Sequence, residues 1–144
     1  MFNIRGDYML TISNMTRYQT VLLIEDDEVD VLNVKRAFRK KGFTQHLHLA
    51  ENGLDAVDRL TSEGDLVPFP DLILLDLNMP KMGGFEFLRF RKENPILSAI
   101  DIYVMSTSAA EEDIRMAEEL GASGYVVKPL YTERFADELE KILS

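Results

Sequence analysis

The chain has 144 residues, of which 46% are apolar and 28% charged, and it has no cysteine. That is enough for one compact domain with a single sizeable core, and it excludes a disulfide framework, a thiolate zinc site and a cysteine nucleophile. The 16 Lys and Arg against 25 Asp and Glu leave a net charge of −9, which argues against nucleic acid as a direct partner, because cationic contacts to phosphates supply most of that affinity.

Residues 1–17 carry no helical period and read as a partly flexible extension ahead of a patterned domain over 18–144. Tyr8, Leu10 and Ile12 alternate, which suits a short strand added to an edge or to a partner. No signal-peptide stretch is present, and no apolar run is long enough to span a membrane. With cysteine absent as well, a cytoplasmic protein is expected.

Val21-Leu22-Leu23-Ile24 is an unbroken apolar run, as in a strand buried on both faces. Val31, Val34 and Phe38 then share one helical face, and Gly42 stands where that helix stops. His46-Leu47-His48-Leu49 alternates, which predicts an edge strand. Two histidines on one face can hold a metal together, but solvated polar residues on an edge are the simpler reading. Ala56, Val57 and Leu60 mark a second helix after Asn52-Gly53, and Gly64 to Pro70 is a loop. Leu72-Ile73-Leu74-Leu75 is the third strand, and a turn from Asn78 to Gly84 leads into a helix with Phe87, Leu88 and Arg91. Ile102-Tyr103-Val104-Met105 is the fourth strand. Ser108 and Glu111 have capping-box spacing ahead of a helix through Ile114, Ala117 and Leu120, ended by Gly121. Tyr125-Val126-Val127 is the fifth strand, and Phe135, Leu139, Ile142 and Leu143 share one face of the last helix.

Strands alternating with helices imply an α/β fold, a doubly wound (βα)5 three-layer sandwich with a parallel sheet. Unbroken runs belong at the centre and the alternating second strand at an edge, which the flavodoxin-like order 2-1-3-4-5 satisfies. The ligand site of such a sheet lies at the carboxyl ends of strands one and three. Glu25-Asp26-Asp27 and Asp76 fall there. Carboxylates so close repel unless a cation joins them, and the hard oxygen set favours Mg²⁺ (or Mn²⁺) over Zn²⁺. Strand four ends in Ser106-Thr107-Ser108 and strand five in Lys128-Pro129, so a hydroxyl and an ammonium stand where a transferring phosphoryl oxygen needs them. Ser106 is the better ligand candidate, since Ser108 has the competing role of helix cap.

From about Thr20 to Leu143 the chain resembles the receiver domain of two-component response regulators. The match is carried by Glu25-Asp26, by Asp76 within Leu-Ile-Leu-Leu-Asp-Leu-Asn-Met-Pro, by Ser106, and by Lys128-Pro129. The resemblance implies that Asp76 accepts a phosphoryl group from a histidine kinase or phosphotransfer protein. The metal site would be formed by Asp26 directly, Glu25 through water, Asp76, and the backbone carbonyl of Asn78. Lys128 and Ser106 would bind phosphoryl oxygens, and Tyr125 would follow Ser106 from an exposed to a buried rotamer. The Lys128–Pro129 bond would be cis, and Asn78 and Ser108 would tune dephosphorylation. Such a protein is a phosphoacceptor that catalyses its own phosphorylation and slow dephosphorylation, not an enzyme with a separate substrate. Gly83 replaces the Asp of the common Met-Asp-Gly turn, and Ser106 replaces the commoner Thr, which keeps the donor.

The rival readings are weaker. A haloacid-dehalogenase-like hydrolase needs a second acid where Asn78 stands, and a flavodoxin-type carrier needs a Ser/Thr/Gly-rich loop where Glu25-Asp26-Asp27 would repel phosphate. A degenerate receiver, acting as a phosphorylation-independent binding module, would lack one of the key groups. Only Ser144 follows Leu143, so no output domain is expected, and signalling would pass to a downstream protein. The Leu-Asp-Leu-Asn-Met-Pro stretch is also similar to the small regulators of bacterial phytochrome-type kinases. Those relatives suggest a homodimer through helix four, strand five and helix five, with Tyr131 and Phe135 as contacts.

Overall fold

The computed structural model describes residues 17–63 and 65–144, so the expected N-terminal extension, apart from Arg17, and Gly64 lie outside the described residues. The elements are β1 (Thr20–Ile24), α1 (Glu28–Lys41), β2 (His46–Ala50), α2 (Gly53–Thr61), β3 (Leu72–Asp76), α3 (Gly84–Glu93), β4 (Asp101–Ser106), α4 (Glu111–Glu119), β5 (Gly124–Val127) and α5 (Glu133–Leu143). A 3-10 turn, Leu97–Ala99, precedes β4. All ladders are parallel and the order is β2-β1-β3-β4-β5, the flavodoxin-like arrangement. Among the described residues no helix is long and apolar enough to cross a membrane.

Alternation along the central strands feeds two cores. Val21, Leu23, Leu72 and Leu74 pack against Val34 and Phe38 of α1 and Phe135 and Leu139 of α5. Leu22, Ile24, Ile73 and Leu75 pack on the other face against Ala56, Phe87, Leu88 and Ala117 of α2, α3 and α4. Each such Leu or Ile is worth about 1.5–3 kcal/mol relative to exposure, so the continuous apolar runs take the centre and the histidine-bearing strand the edge. There His46 and His48 stack with ring centroids 6.3 Å apart, and His48 Nε2–H donates to the Pro68 carbonyl at 2.9 Å.

Helix α1 shows how local chemistry sets the frame of the site. The Asp27 carboxylate caps it, accepting from the Val29 N–H at 2.8 Å, and Gly42 ends it at φ 73°, a left-handed conformation that costs glycine little. Lys41 then pairs with Asp137 of α5 at 2.8 Å, next to the Lys40–Glu133 pair.

Two sequence expectations change. The Ser108–Glu111 capping box does not form: α4 begins at Glu111 with Ala110 as its cap residue. The Ser108 hydroxyl instead donates to the Asp113 carboxylate at 2.6 Å and accepts from the Ala110 N–H at 3.2 Å. The hydroxyl thus gives its proton to a charged acceptor and takes the Ala110 N–H, ahead of the helix, rather than an N–H of the first helical turn. Phe135 is no dimer contact, since it is 2% exposed within the α5-side core, whereas Tyr131 is 71% exposed. Its helical face, shared with Leu139 and Ile142, is the face that the sheet covers.

Candidate functional site

β1 and β3 are neighbours with Ile24 opposite Leu75, so the residues that follow them emerge side by side. Carboxylate oxygens of Glu25, Asp26 and Asp76 lie within 4.8 Å of one another. Glu25 and Asp76 are each 4% exposed, while Asp26 faces solvent. Together with Asp27, Asp30, Asn78, Thr107 and Lys128 they line a cleft of about 300 Å³. Backbone bonds fix the rim: the Glu25 N–H donates to the Ala50 carbonyl at 3.0 Å, and the Asp27 N–H to Glu25 Oε2 at 3.3 Å. The Asn78 N–H lies 3.4 Å from Asp76 Oδ1.

Lys128 enters from the end of β5 through a cis Lys128–Pro129 bond, with its N–H on the Ser106 carbonyl at 2.7 Å. Its ammonium lies 2.6 Å from Asp30 Oδ2, 3.1 Å from Glu25 Oε1 and 3.4 Å from Asp76 Oδ1. Asp30 was not singled out from the sequence. It sits in the first turn of α1, where acids are common at any helix start, and only the fold shows that it faces Lys128.

Ser106 is fully buried, and its Oγ accepts from the Ser108 N–H at 3.0 Å; Thr107, not Ser106, lines the acidic cleft. Tyr125 is half-buried, and its hydroxyl donates to the Ser108 carbonyl at 2.8 Å. The backbone of Ser108 therefore connects the Ser106 hydroxyl to the Tyr125 ring.

The turn behind Asp76 is tightly packed. The Gly84 N–H donates to the Leu77 carbonyl at 3.0 Å, and a Cβ on Gly84 would fall 2.6 Å from Leu77 Cα and 2.8 Å from the Asp76 carbonyl oxygen. Backbone cannot yield as a side-chain tip can. Gly84→Ala is expected to lose roughly 2 kcal/mol in urea unfolding, as overpacking does, whereas Gly83→Ala, whose Cβ would meet the Leu77 carbonyl oxygen at 3.6 Å, is expected to change little.

Five carboxylates and one ammonium line the cleft. Burial, and then the charge of Asp76, push the Glu25 carboxyl up to about 8, against the opposing pull of Lys128. Burial works against the Lys128 ammonium, yet the Asp30 hydrogen bond and the charges of Glu25 and Asp76 outweigh it and hold its pKa above the usual lysine value. Glu25, Asp26 and Asp76 fit a hard divalent cation: all three offer oxygen, one is open to solvent, and the local charge is strongly negative.

Residues 21–140 match the family described as response regulator receiver domain, and the chain belongs to that family. It is 35% identical over 123 residues to the "Probable methanogenesis regulatory protein FilR2" of Methanothrix harundinacea, covering 85% of this chain and 79% of that one. It is 36% identical over 112 residues to response regulator Rcp1 of Synechocystis, covering 76% of each. The crystal structure of Mn²⁺-bound Rcp1 aligns with a TM-score of 0.75 and 32% identity, over 86% of this chain and 91% of that one. Phosphorylated RcpA, a cyanobacterial phytochrome response regulator, aligns with a TM-score of 0.77 and 30% identity, over 87% and 91%. The chain is thus the receiver domain of a response regulator in two-component signalling.

Proposed function

We propose that Asp76 accepts a phosphoryl group from a phosphohistidine, presented by a sensor histidine kinase or a phosphotransfer protein. The observation that carries this reading is the placing of one buried carboxylate, Asp76, between the Lys128 ammonium at 3.4 Å and the acidic pair Glu25 and Asp26. A carboxylate oxygen of Asp76 attacks phosphorus, the P–N bond breaks, and the imidazole leaves with the electron pair. Glu25, Asp26, Asp76 and the backbone carbonyl of Asn78 would hold Mg²⁺ or Mn²⁺. When bound, the ion supplies positive charge to the phosphoryl oxygens as the transfer proceeds. The Mn²⁺ of Rcp1 and the phosphorylated state of RcpA support the same chemistry here.

Lys128 neutralises a phosphoryl oxygen in exchange for part of its present contact with Glu25 and Asp30. Ser106 turns its hydroxyl from the Ser108 N–H to another oxygen, which frees the Ser108 backbone to move. Tyr125, bonded to the Ser108 carbonyl, moves with it and carries the change to the surface of α4, β5 and α5. That surface then meets a downstream protein or a second copy of the chain. Asn78, which lines the cleft, and Ser108, two residues beyond Ser106, tune the lifetime of the phosphorylated state.

Acetyl phosphate with Mg²⁺ tests this reading directly. Mass spectrometry is expected to find one phosphoryl group on the wild-type chain, mapped to the peptide with Asp76, and none on Asp76→Asn. Chelation is expected to slow labelling at least about 100-fold, as loss of a charge-neutralising metal does. A wild-type chain that takes no label with metal present is a binding module instead.

A further inference from the structure

We propose that Asp30 is a positioning residue for Lys128: it competes with the phosphoryl group for the lysine ammonium and so slows the loading of Asp76. The inference rests on the phosphoryl transfer proposed above and adds a residue to it. Three carboxylates share the ammonium, and their distances rank them. Asp30 Oδ2 takes the shortest bond at 2.6 Å, Glu25 Oε1 follows at 3.1 Å, and Asp76 Oδ1 is the loosest partner at 3.4 Å. Short charge-assisted bonds are the strong ones, so Asp30 and Glu25, not the acceptor, decide where the ammonium stands.

Helix α1 fixes Asp30 in that place. The Asp27 carboxylate accepts from the Val29 N–H at 2.8 Å and from the Asp30 N–H at 3.4 Å, which pins the first turn. From that turn the Asp30 side chain reaches the cleft, where it is 16% exposed against 9% for Lys128. The helix N-terminus favours a negative side chain there, and the burial of both partners limits the screening of the pair by salt.

The three partners differ in kind. Glu25 and Asp76 belong to the acidic trio with Asp26, and Asp30 lies outside it. With a divalent cation bound by that trio, Glu25 and Asp76 have a second counter-charge and hold Lys128 less firmly, whereas Asp30 gains none. Asp30 is therefore the carboxylate that still contends for the ammonium when a phosphoryl group approaches Asp76. The transfer gathers negative charge on oxygens that Lys128 has to meet, and a hydrogen bond given to Asp30 is one withheld from them.

Asp30→Asn keeps the shape of the side chain and removes its charge. With acetyl phosphate and Mg²⁺ it is expected to take label roughly tenfold faster than the wild type, the scale of one hydrogen bond to a charged group. Glu28→Gln removes an equal charge from an exposed position in the same turn, one that is not a partner of Lys128, and should label at the wild-type rate. In a Lys128→Met background, Asp30→Asn should no longer speed labelling. A further measurement needs no phosphoryl donor. In NMR of the metal-free chain, the nitrogen signal of the Lys128 ammonium should shift on Asp30→Asn and stay in place on Glu28→Gln. A wild-type chain that takes no label removes the phosphoacceptor reading and this inference with it. Label on the wild type without a gain in Asp30→Asn, or an ammonium signal that ignores the substitution, overturns this inference alone. So does an equal gain in Glu28→Gln, or a gain that persists in the Lys128→Met background, since either makes Asp30 one charge among many.

Discussion

Lys128→Met is expected to lose about 3–5 kcal/mol of stability at pH 8 in the presence of chelator, the usual cost of removing one partner from a buried ionic cluster. Its ammonium contacts Asp30, Glu25 and Asp76, whose side chains are 16%, 0% and 5% exposed. Without the lysine, these buried carboxylates have no cation beside them among the residues that line the cleft, and the methionine fills the space without answering the charge. Burial and the charge of Asp76 already push the Glu25 carboxyl up to about 8 with the lysine in place, and without that opposing cation Glu25 holds its proton more firmly still, so the loss should shrink as pH falls from 8 toward about 5. The lysine's own raised pKa works at the other end of the scale. Its contribution is whole below about 10.4, the unfolded value, and fades only above that. Between pH 5 and 8 the slope in the difference therefore reports Glu25. Urea unfolding of both chains at the two pH values measures it, and a second replacement, Asp30→Asn, is expected to recover part of the loss. A difference below about 1 kcal/mol at pH 8 would mean that water reaches the cluster and the pair behaves as a surface one.

The same cluster shows where a sequence speaks and where it is silent. Leu72 to Leu75 could be placed at the sheet centre because burial on both faces leaves no polar alternation, and Asp76 followed from that strand's end. Glu25 and Asp26 were legible for the same reason. Asp30 was not: an acid three residues after Asp27 looks like any acid answering a helix N-terminus, and its second role depends on Lys128 arriving from 98 residues away. Ser108 has the right spacing for a cap, yet the helix begins at Glu111 after Ala110, and the Ser108 hydroxyl donates to Asp113 and accepts from the Ala110 N–H, partners set by the path of the loop. Tyr125 was expected to begin exposed. Its hydroxyl bond to the Ser108 carbonyl, a backbone acceptor that no side-chain pattern announces, holds it half-buried. Element type and burial are written in local pattern, while hydrogen-bond partners depend on tertiary geometry.

Stability of the metal-free protein is expected to fall as pH rises from about 5 to about 8, by an amount on the order of 3 kcal/mol, because Glu25 is a carboxyl whose folded pKa is raised to about 8. The direction follows from proton counting. An unfolded glutamate loses its proton near 4.3 and the folded one later, so between these values the folded state binds more protons. Each step up in pH then favours the unfolded chain, with no penalty below about 4.3 and the full penalty above about 8. This is the reverse of an ordinary salt-bridged carboxylate, whose contribution is lost on acidification. Glu25→Gln removes the ionisation while keeping an oxygen that can accept from Lys128, so its profile should be flat across the window and the variant the more stable protein at pH 8.5. The penalty also makes sense of the site. A carboxylate that the fold alone holds at a disadvantage is one that a divalent cation can relieve, and Mg²⁺ should stabilise the wild type more at pH 8 than at pH 6 while doing little for Glu25→Gln. Chelator-treated samples followed by urea unfolding at pH 5, 6.5 and 8.5, with and without added Mg²⁺, decide it; a flat wild-type profile would mean that Glu25 ionises as it would in water and that the cleft is wetter than its burial implies.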